Sequence, residues 1–287
     1  MLVYFVATIL IGAFLAPVLF WTAQWFLSHG FFQFLGKVDF ESFFHRALLI
    51  AAVVLMWPLL RSVGVRSLSD LGLIPNSRWS RHLLVGFVSS SIPLLICGMA
   101  LIALHIYSLR SNVAFFALGK VVTTAAIVPF IEEAFFRGLI LGLLLRTGHR
   151  LASVFVVSAL YSVVHFLKAP EQTSTVVKWT SGFTSIANSF GQFTEPMLVF
   201  AAFTTLFLIG WILADARLRT RSLWLPIGLH AGWIFGNSLF SKLARRELVA
   251  LPWLGRNLLV GIIPLGVAAV TWIIVLIWLK NESKSNA

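Results

Sequence analysis

The chain contains little charge and almost no cysteine. Only 11% of its 287 residues are charged and 59% are hydrophobic, whereas about a quarter of a typical soluble domain is charged. This composition excludes an ordinary soluble domain and predicts an integral membrane protein. The single cysteine, Cys97, excludes an internal disulfide framework and any metal site built from several cysteines.

The sequence also lacks the short motifs of several enzyme classes. It contains no HExxH metalloprotease signature, no GxSxG nucleophile elbow and no Walker phosphate loop. Its net charge of +12 comes from basic residues in short loops between apolar segments, which suits anionic lipid headgroups better than a nucleic acid. We therefore expect membrane lipid as a partner and no nucleic acid. The sequence makes no prediction of oligomeric state.

Apolar segments long enough to cross a membrane recur along the chain. A helix of about 20 apolar residues spans the hydrocarbon core, and open strands in lipid would leave backbone groups without hydrogen bonds. The pattern therefore predicts an all-α fold, a polytopic transmembrane helix bundle with about eight membrane helices. The expected spans are 2–27, 44–62, 83–107, 113–146, 150–168, 196–214, 222–242 and 257–279.

These spans divide the chain into three regions. Residues 1–109 hold the first three membrane helices, residues 110–242 hold four core helices, and residues 243–287 hold the last helix and a short tail. The polar stretch Lys168–Glu195 is rich in Ser, Thr and Gly and is longer than a typical connection. We expect it to be either a solvated loop or a lid over a site on the preceding helix.

Three charged residues lie in the middle of an apolar run, in the sequence EEAFFR at 132–137. At bilayer depth each costs roughly 2.5 to 3.5 kcal/mol on insertion scales, so each needs a partner, water or a function. On an α-helix, Glu133 and Arg137 are four residues apart and share a face, whereas Glu132 points about 100° away from Glu133. We infer that Arg137 neutralises Glu133 and that Glu132 is the working carboxylate.

Two histidines also lie deep in predicted membrane helices. His165 follows Tyr161 by four residues, so the two share a face of the fifth predicted helix. His230 lies in the seventh predicted helix, roughly on the face opposite a stripe of glycines at positions 228, 232 and 236. Such a stripe allows a neighbouring helix to approach closely. This arrangement leaves His230 to face a site.

A deep glutamate and two deep histidines suit hydrolysis by either of two routes. Glu132 can act as a general base on water while the histidines stabilise the charge that develops. Alternatively, Glu132, His165 and His230 can bind a divalent metal such as zinc. A serine hydrolase built on Ser158 or Ser162 would leave the charged EEAFFR sequence unexplained. Deep Glu, Arg and His residues also occur in proton-coupled transporters, which are a further alternative.

Three elements of the sequence, EEAFFR, YSVVH and LWLPIGLHAGW, together resemble the CPBP family of intramembrane proteases. This family includes CAAX prenyl proteases and bacteriocin-processing proteases, and its pattern is EExxxR, then FxxxH, then HxxxN on successive membrane helices. The resemblance covers roughly residues 110–240, the catalytic core of the chain. The matching residues are Glu132, Glu133 and Arg137 for the first element, Tyr161 and His165 for the second, and His230 for the third.

The resemblance implies an intramembrane endopeptidase of the metallo or the glutamate type. Water would be activated at Glu132 and His165, and His230 would stabilise the oxyanion. A zinc ion, if the enzyme uses one, would be bound by the same three residues. The residues expected to support them are Glu133, Arg137, Tyr161 and Asn237.

The resemblance also implies the kind of substrate and the location. The expected substrates are membrane-associated proteins, prenylated proteins or peptide precursors. The expected location is a bacterial cytoplasmic membrane, in which the chain is a multi-pass integral protein.

The chain departs from the family pattern at one position, because Ile234 stands where HxxxN requires asparagine. If that asparagine supplies an oxyanion donor, its loss would cost about 10² to 10³ in rate. Asn237 lies on nearly the same face but about 10 Å further along the helix axis. Activity would then depend on Tyr161 or Asn237. The alternative is a catalytically weak or silent member that acts as an immunity, resistance or scaffold protein.

Overall fold

The computed structural model describes residues 2–73, 77–111, 115–165, 176–248, 252–255 and 257–284. The chain divides into two compact units. The first unit comprises Met1–Arg66 and Val163–Thr194, and the second comprises Ser67–Ser162 and Glu195–Ala287. Six predicted site residues lie in the second unit, namely Glu132, Glu133, Arg137, Tyr161, His230 and Asn237.

Helices account for most of the regular structure, as the apolar segments predict. The α-helices are α1 (Leu2–Ser28), α2 (Phe40–Ser62), α3 (Trp79–Ala103), α4 (Phe115–Glu133), α5 (Leu141–Leu145), α6 (Arg150–Val164), α7 (Ser181–Ser189), α8 (Pro196–Thr220), α9 (Trp224–Leu243) and α10 (Ile262–Lys284). A π-helical segment, Ala134–Ile140, connects α4 to α5, and two short strands are present, β1 (Tyr107–Leu109) and β2 (Ala244–Arg246).

Several helices have the length and composition that a membrane span requires. Among the described residues, α1, α2, α3, α8 and α10 are long and apolar enough to cross a membrane, and α6 is a shorter apolar helix. The predicted all-α membrane helix bundle is therefore confirmed. The predicted number of eight spans is not confirmed, because α4, α6 and α9 are not among the five.

In the first unit, α1 and α2 pack along small side chains. Ala16 and Ala47 are fully buried beside Phe44, and a Cβ atom on Gly12 would overlap the side chain of Leu48. Small residues allow two apolar helices to come into close van der Waals contact, which drives helix association in lipid. The first unit is therefore built around a close α1–α2 pair.

The stretch predicted as a loop or lid contains a helix in its described part. α7 packs against α1, where a Cβ atom on Gly182 would overlap the backbone of Ala13. This part of the stretch is therefore packed helix, and the expectation of a solvated loop is wrong for α7. Residues 168–175 lie outside the described residues, and the role as a lid stays a prediction.

In the second unit, α3 and α9 are in backbone contact along the predicted glycine stripe. A Cβ atom on Gly228 would overlap the carbonyl group of Leu83, and one on Gly232 would overlap that of Phe87. Gly228 meets Leu83, and four residues later in both helices Gly232 meets Phe87. The two helices therefore run in the same direction. The stripe packs on α3 as predicted, and this leaves the His230 side of α9 for the site.

The two short strands connect the ends of helices in the second unit. β1 follows α3 and pairs antiparallel with β2, which begins directly after α9. Ser108 and Arg245 both donate hydrogen bonds to the carboxylate of Glu247, and these bonds lower the pKa of Glu247. The third predicted span extended as helix through Tyr107, which is wrong, because the backbone there pairs with β2 instead.

The close α3–α9 contact predicts that Gly228→Ala destabilises the protein. The added Cβ would lie 2.9 Å from the carbonyl carbon of Leu83, and a helix backbone cannot move aside as a flexible side chain can. We expect a loss of about 1 to 3 kcal/mol, measured as a lower apparent melting temperature in detergent.

Gly119→Ala is the matched control, because Gly119 lies within α4 and a Cβ there would meet nothing within 4 Å. Alanine in place of glycine inside a helix is expected to stabilise by about 0.5 to 1 kcal/mol. Equal melting temperatures for the two variants would show that α3 and α9 are not in tight contact.

Candidate active site

The charged EEAFFR sequence lies where an α-helix changes to a π-helix. Glu132 and Glu133 are the last two residues of α4, and Arg137 belongs to the π-helical segment that follows. A π-helical turn is wider than an α-helical turn, and such segments occur frequently at functional sites. From the sequence we assumed about 100° of rotation per residue, which does not hold in the π-helical segment after Glu133. Arg137 nevertheless contacts Glu133.

The carboxylate of Glu133 and the guanidinium of Arg137 form a fully buried ion pair. The Nη1 atom of Arg137 donates to Oε1 of Glu133 at 2.9 Å, and both side chains are 0% exposed. A lone buried charge is very costly, whereas a hydrogen-bonded pair of opposite charges is tolerated. The predicted neutralisation of Glu133 by Arg137 is therefore present.

Arg137 also contacts two further helices. Its Nη2 atom donates to the backbone carbonyl of Gly210 in α8 at 3.1 Å. Its guanidinium lies over the ring of Tyr161 in α6, 4.4 Å from the ring centroid. α6 and α8 are close at this level, because a Cβ atom on Gly210 would lie 3.1 Å from Cα of Ser158. Arg137 thus connects its own helix to α6 and α8.

His230 of α9 joins this network through its Nδ1 atom. Nδ1 lies 2.8 Å from Oε1 of Glu133, and the side chain of His230 is 4% exposed. A carboxylate oxygen only accepts hydrogen bonds, so Nδ1 carries a proton. In the neutral ring the other nitrogen, Nε2, then has a lone pair. Glu133 therefore binds Arg137 and His230 together and sets the tautomer of the histidine.

The Nε2 atom of His230 faces two further groups. The hydroxyl of Tyr161 lies 3.3 Å from Nε2, and Oε2 of Glu132 lies 3.8 Å from it. The side chain of Glu132 is 26% exposed, whereas that of Glu133 is 0% exposed. The two adjacent glutamates therefore differ in the way the sequence predicts, since the buried one is in an ion pair and the accessible one lies beside a histidine.

Three further positions named in the sequence analysis are His165, Asn237 and Ile234. His165 follows the last residue of α6, is partly buried, and belongs to the first unit, so its catalytic role stays a prediction. Asn237 is partly buried, and its Oδ1 atom has no hydrogen-bond partner in the described part of the chain. Ile234 is also partly buried and offers no polar group.

The residues brought together supply part of a metal site. Oε2 of Glu132 and Nε2 of His230 are suitable donors, and a carboxylate on the second nitrogen of a histidine is common among metal ligands. Zinc in proteins takes at least three protein ligands. Within the described ranges, no group of three or more His, Cys, Asp and Glu residues is placed to hold a metal ion. A zinc site therefore stays a prediction.

Sequence reasoning missed three contacts of this site. It paired Glu133 with Arg137 but not with His230, which lies 97 residues further along the chain. It also missed the carbonyl of Gly210 as an acceptor and the stacking of Arg137 on Tyr161. The only signal for Gly210 is a glycine inside the apolar sequence of α8, which is too common a feature to identify a site.

Residues 114–236 match the model of the family described as type II CAAX prenyl endopeptidase Rce1-like. The matched segment contains every charged and aromatic residue of the network. No curated protein and no solved structure matches the chain. The family match confirms the resemblance inferred from the three motifs. The match covers residues 114–236 and supports assignment of this segment to the CAAX protease family.

The buried ion pair predicts that Arg137→Met strongly lowers the stability of the protein, and that the size of this loss depends on the charge of Glu133. This substitution leaves the carboxylate of Glu133 buried without its cation, so we expect a loss of about 3 to 5 kcal/mol of stability. Adding Glu133→Gln removes the uncompensated charge, so the double variant should be more stable than Arg137→Met alone. Apparent melting temperatures of the two single variants and the double variant measure this coupling.

Arg219→Met is the matched control for Arg137→Met. Arg219 also pairs with a carboxylate four residues before it, Asp215, at 2.8 Å, but its side chain is 47% exposed. An exposed pair contributes about 0 to 1 kcal/mol. If Arg137→Met and Arg219→Met have equal effects on the melting temperature, the Glu133–Arg137 pair is not buried as described.

Proposed function

We propose that the chain hydrolyses peptide bonds within the membrane by means of water that Glu132 activates. The observation that carries the proposal is the position of Glu132, whose side chain is partly exposed and whose buried Oε2 atom lies 3.8 Å from Nε2 of His230. Glu133 beside it is 0% exposed and bound to Arg137. The side chain of Glu132 is thus partly exposed beside the histidine, while its neighbour is buried in the network.

The proposed reaction uses Glu132 first as a base and then as an acid. Glu132 removes a proton from water, and the water oxygen forms a bond to the carbonyl carbon of the peptide. The carbonyl oxygen becomes an oxyanion near His230. The carbon–nitrogen bond then breaks, and Glu132 returns its proton to the leaving amine. His165 is proposed to help hold the attacking water, as the motif resemblance implies.

Glu133 and Arg137 are proposed to position His230 for this reaction. A histidine ring that is hydrogen-bonded at Nδ1 to a fixed carboxylate keeps one orientation and one tautomer. Arg137 is paired with that carboxylate, and both side chains are fully buried. Glu133 and Arg137 therefore fix the orientation of His230 before the substrate binds.

The proposed substrates are membrane-associated proteins, including prenylated proteins and peptide precursors. The family description names a CAAX prenyl endopeptidase, and long apolar helices place the chain in lipid, where a substrate with a membrane anchor is concentrated. We propose a bacterial cytoplasmic membrane as the location.

The proposal predicts that Glu132→Gln abolishes proteolysis. Amide oxygen cannot take the proton from water, and general-base catalysis contributes about 10² to 10⁴ in rate. The measurement is hydrolysis of a farnesylated CAAX peptide by the purified protein in lipid nanodiscs. In parallel, mass spectrometry of membranes from cells that produce either form should detect new protein termini only with the unsubstituted protein.

Glu247→Gln is the control for loss of a carboxylate, because Glu247 is exposed and lies outside the site. It should retain full activity. Identical protein termini with and without Glu132→Gln would overturn the proposal and favour the catalytically silent alternative suggested by Ile234. Treatment with EDTA followed by zinc tests the metal prediction, since loss and recovery of activity would indicate a required ion.

A further inference from the structure

Both ring nitrogens of His230 have partners, and this limits what the histidine can do. Nδ1 donates to Glu133 at 2.8 Å, so in the neutral ring Nε2 can only accept. The group 3.3 Å from Nε2 is the hydroxyl of Tyr161, which must then be the donor. A neutral His230 therefore presents a lone pair, and a lone pair repels an oxyanion.

Tyr161 carries a hydrogen that can reach an oxyanion beside Nε2 of His230. Rotation about the carbon–oxygen bond of a phenol moves its hydrogen from one acceptor to another without moving the ring. Ile234, one helical turn after His230, has no hydrogen to donate. The hydroxyl is thus the neutral donor next to Nε2 whose direction can change during the reaction.

We propose that the hydroxyl of Tyr161 donates a hydrogen bond to the oxyanion that forms during peptide hydrolysis, with Nε2 of His230 as its acceptor at rest. This inference rests on the peptidase function proposed above. In the step concerned, water bonds to the carbonyl carbon and Glu132 takes the water proton. The carbonyl π electrons move to oxygen, and the proton of Tyr161 stays on Tyr161.

The surroundings of Tyr161 suit a fixed donor. Its side chain is 2% exposed, the guanidinium of Arg137 covers one ring face at 4.4 Å, and Phe136 packs edge-on with ring centroids 5.3 Å apart. Only the hydrogen of the hydroxyl has to turn when the oxyanion forms, while the ring that carries it stays in place.

The test is Tyr161→Phe, which removes only the hydroxyl and keeps the ring between Arg137 and Phe136. With the farnesylated CAAX peptide as probe, kcat should fall by about 10² to 10³, the effect of losing one oxyanion donor, while KM changes little. Tyr107→Phe is the matched control. It removes another buried hydroxyl of the second unit, one without a hydrogen-bond partner in the described residues, and should leave kcat unchanged.

A second measurement separates a role in the reaction from a role in packing. A phosphinic analogue of the same peptide carries a tetrahedral anionic group, and we expect Tyr161→Phe to weaken its binding by a factor similar to the fall in kcat. Binding of a peptide with an uncleavable bond should be unchanged. Equal loss of affinity for both ligands, or an unchanged kcat, would overturn the proposal for Tyr161 alone. Absence of any Glu132-dependent cleavage would overturn the peptidase function as well.

Discussion

The shared hydrogen bonds of the Glu133 carboxylate are the interaction on which the site depends. The Oε1 atom of this fully buried side chain accepts hydrogen bonds from Nη1 of Arg137 at 2.9 Å and from Nδ1 of His230 at 2.8 Å. In an apolar interior such a charge is stable only if it is paired with an opposite charge. The positions of Arg137 and His230, and therefore of the helices that carry them, follow from this requirement.

The adjacent glutamates illustrate how one helix end can carry two different functions. Consecutive side chains on a helix point in different directions, so Glu133 is enclosed by its partners while Glu132 is partly exposed beside Nε2 of His230. The change from α4 to a π-helical segment occurs directly after this pair. A wider turn at this point gives Arg137 a direction that an α-helix would not give it.

What the sequence predicts correctly here depends on local periodicity and composition. Helical spacing identifies the Glu133–Arg137 pair and the glycine face of α9, and apolar length identifies the membrane helices. The bond from Glu133 to His230 and the β1–β2 pairing depend instead on which helices are neighbours, and no local pattern encodes that. The π-helical segment Ala134–Ile140, which carries Arg137, was not predicted either.

The acceptor that α8 offers to Arg137 is a main-chain atom, the carbonyl of Gly210. A carbonyl oxygen has two lone pairs, so it can serve Arg137 and its own helix together. No side chain of α8 is then required for this contact, only the absence of one at position 210, where α6 leaves little room. Over evolutionary time α8 could exchange nearly all of its apolar residues and keep this bond. In a comparison of related sequences this constraint would show as a small residue at position 210 and not as a polar motif.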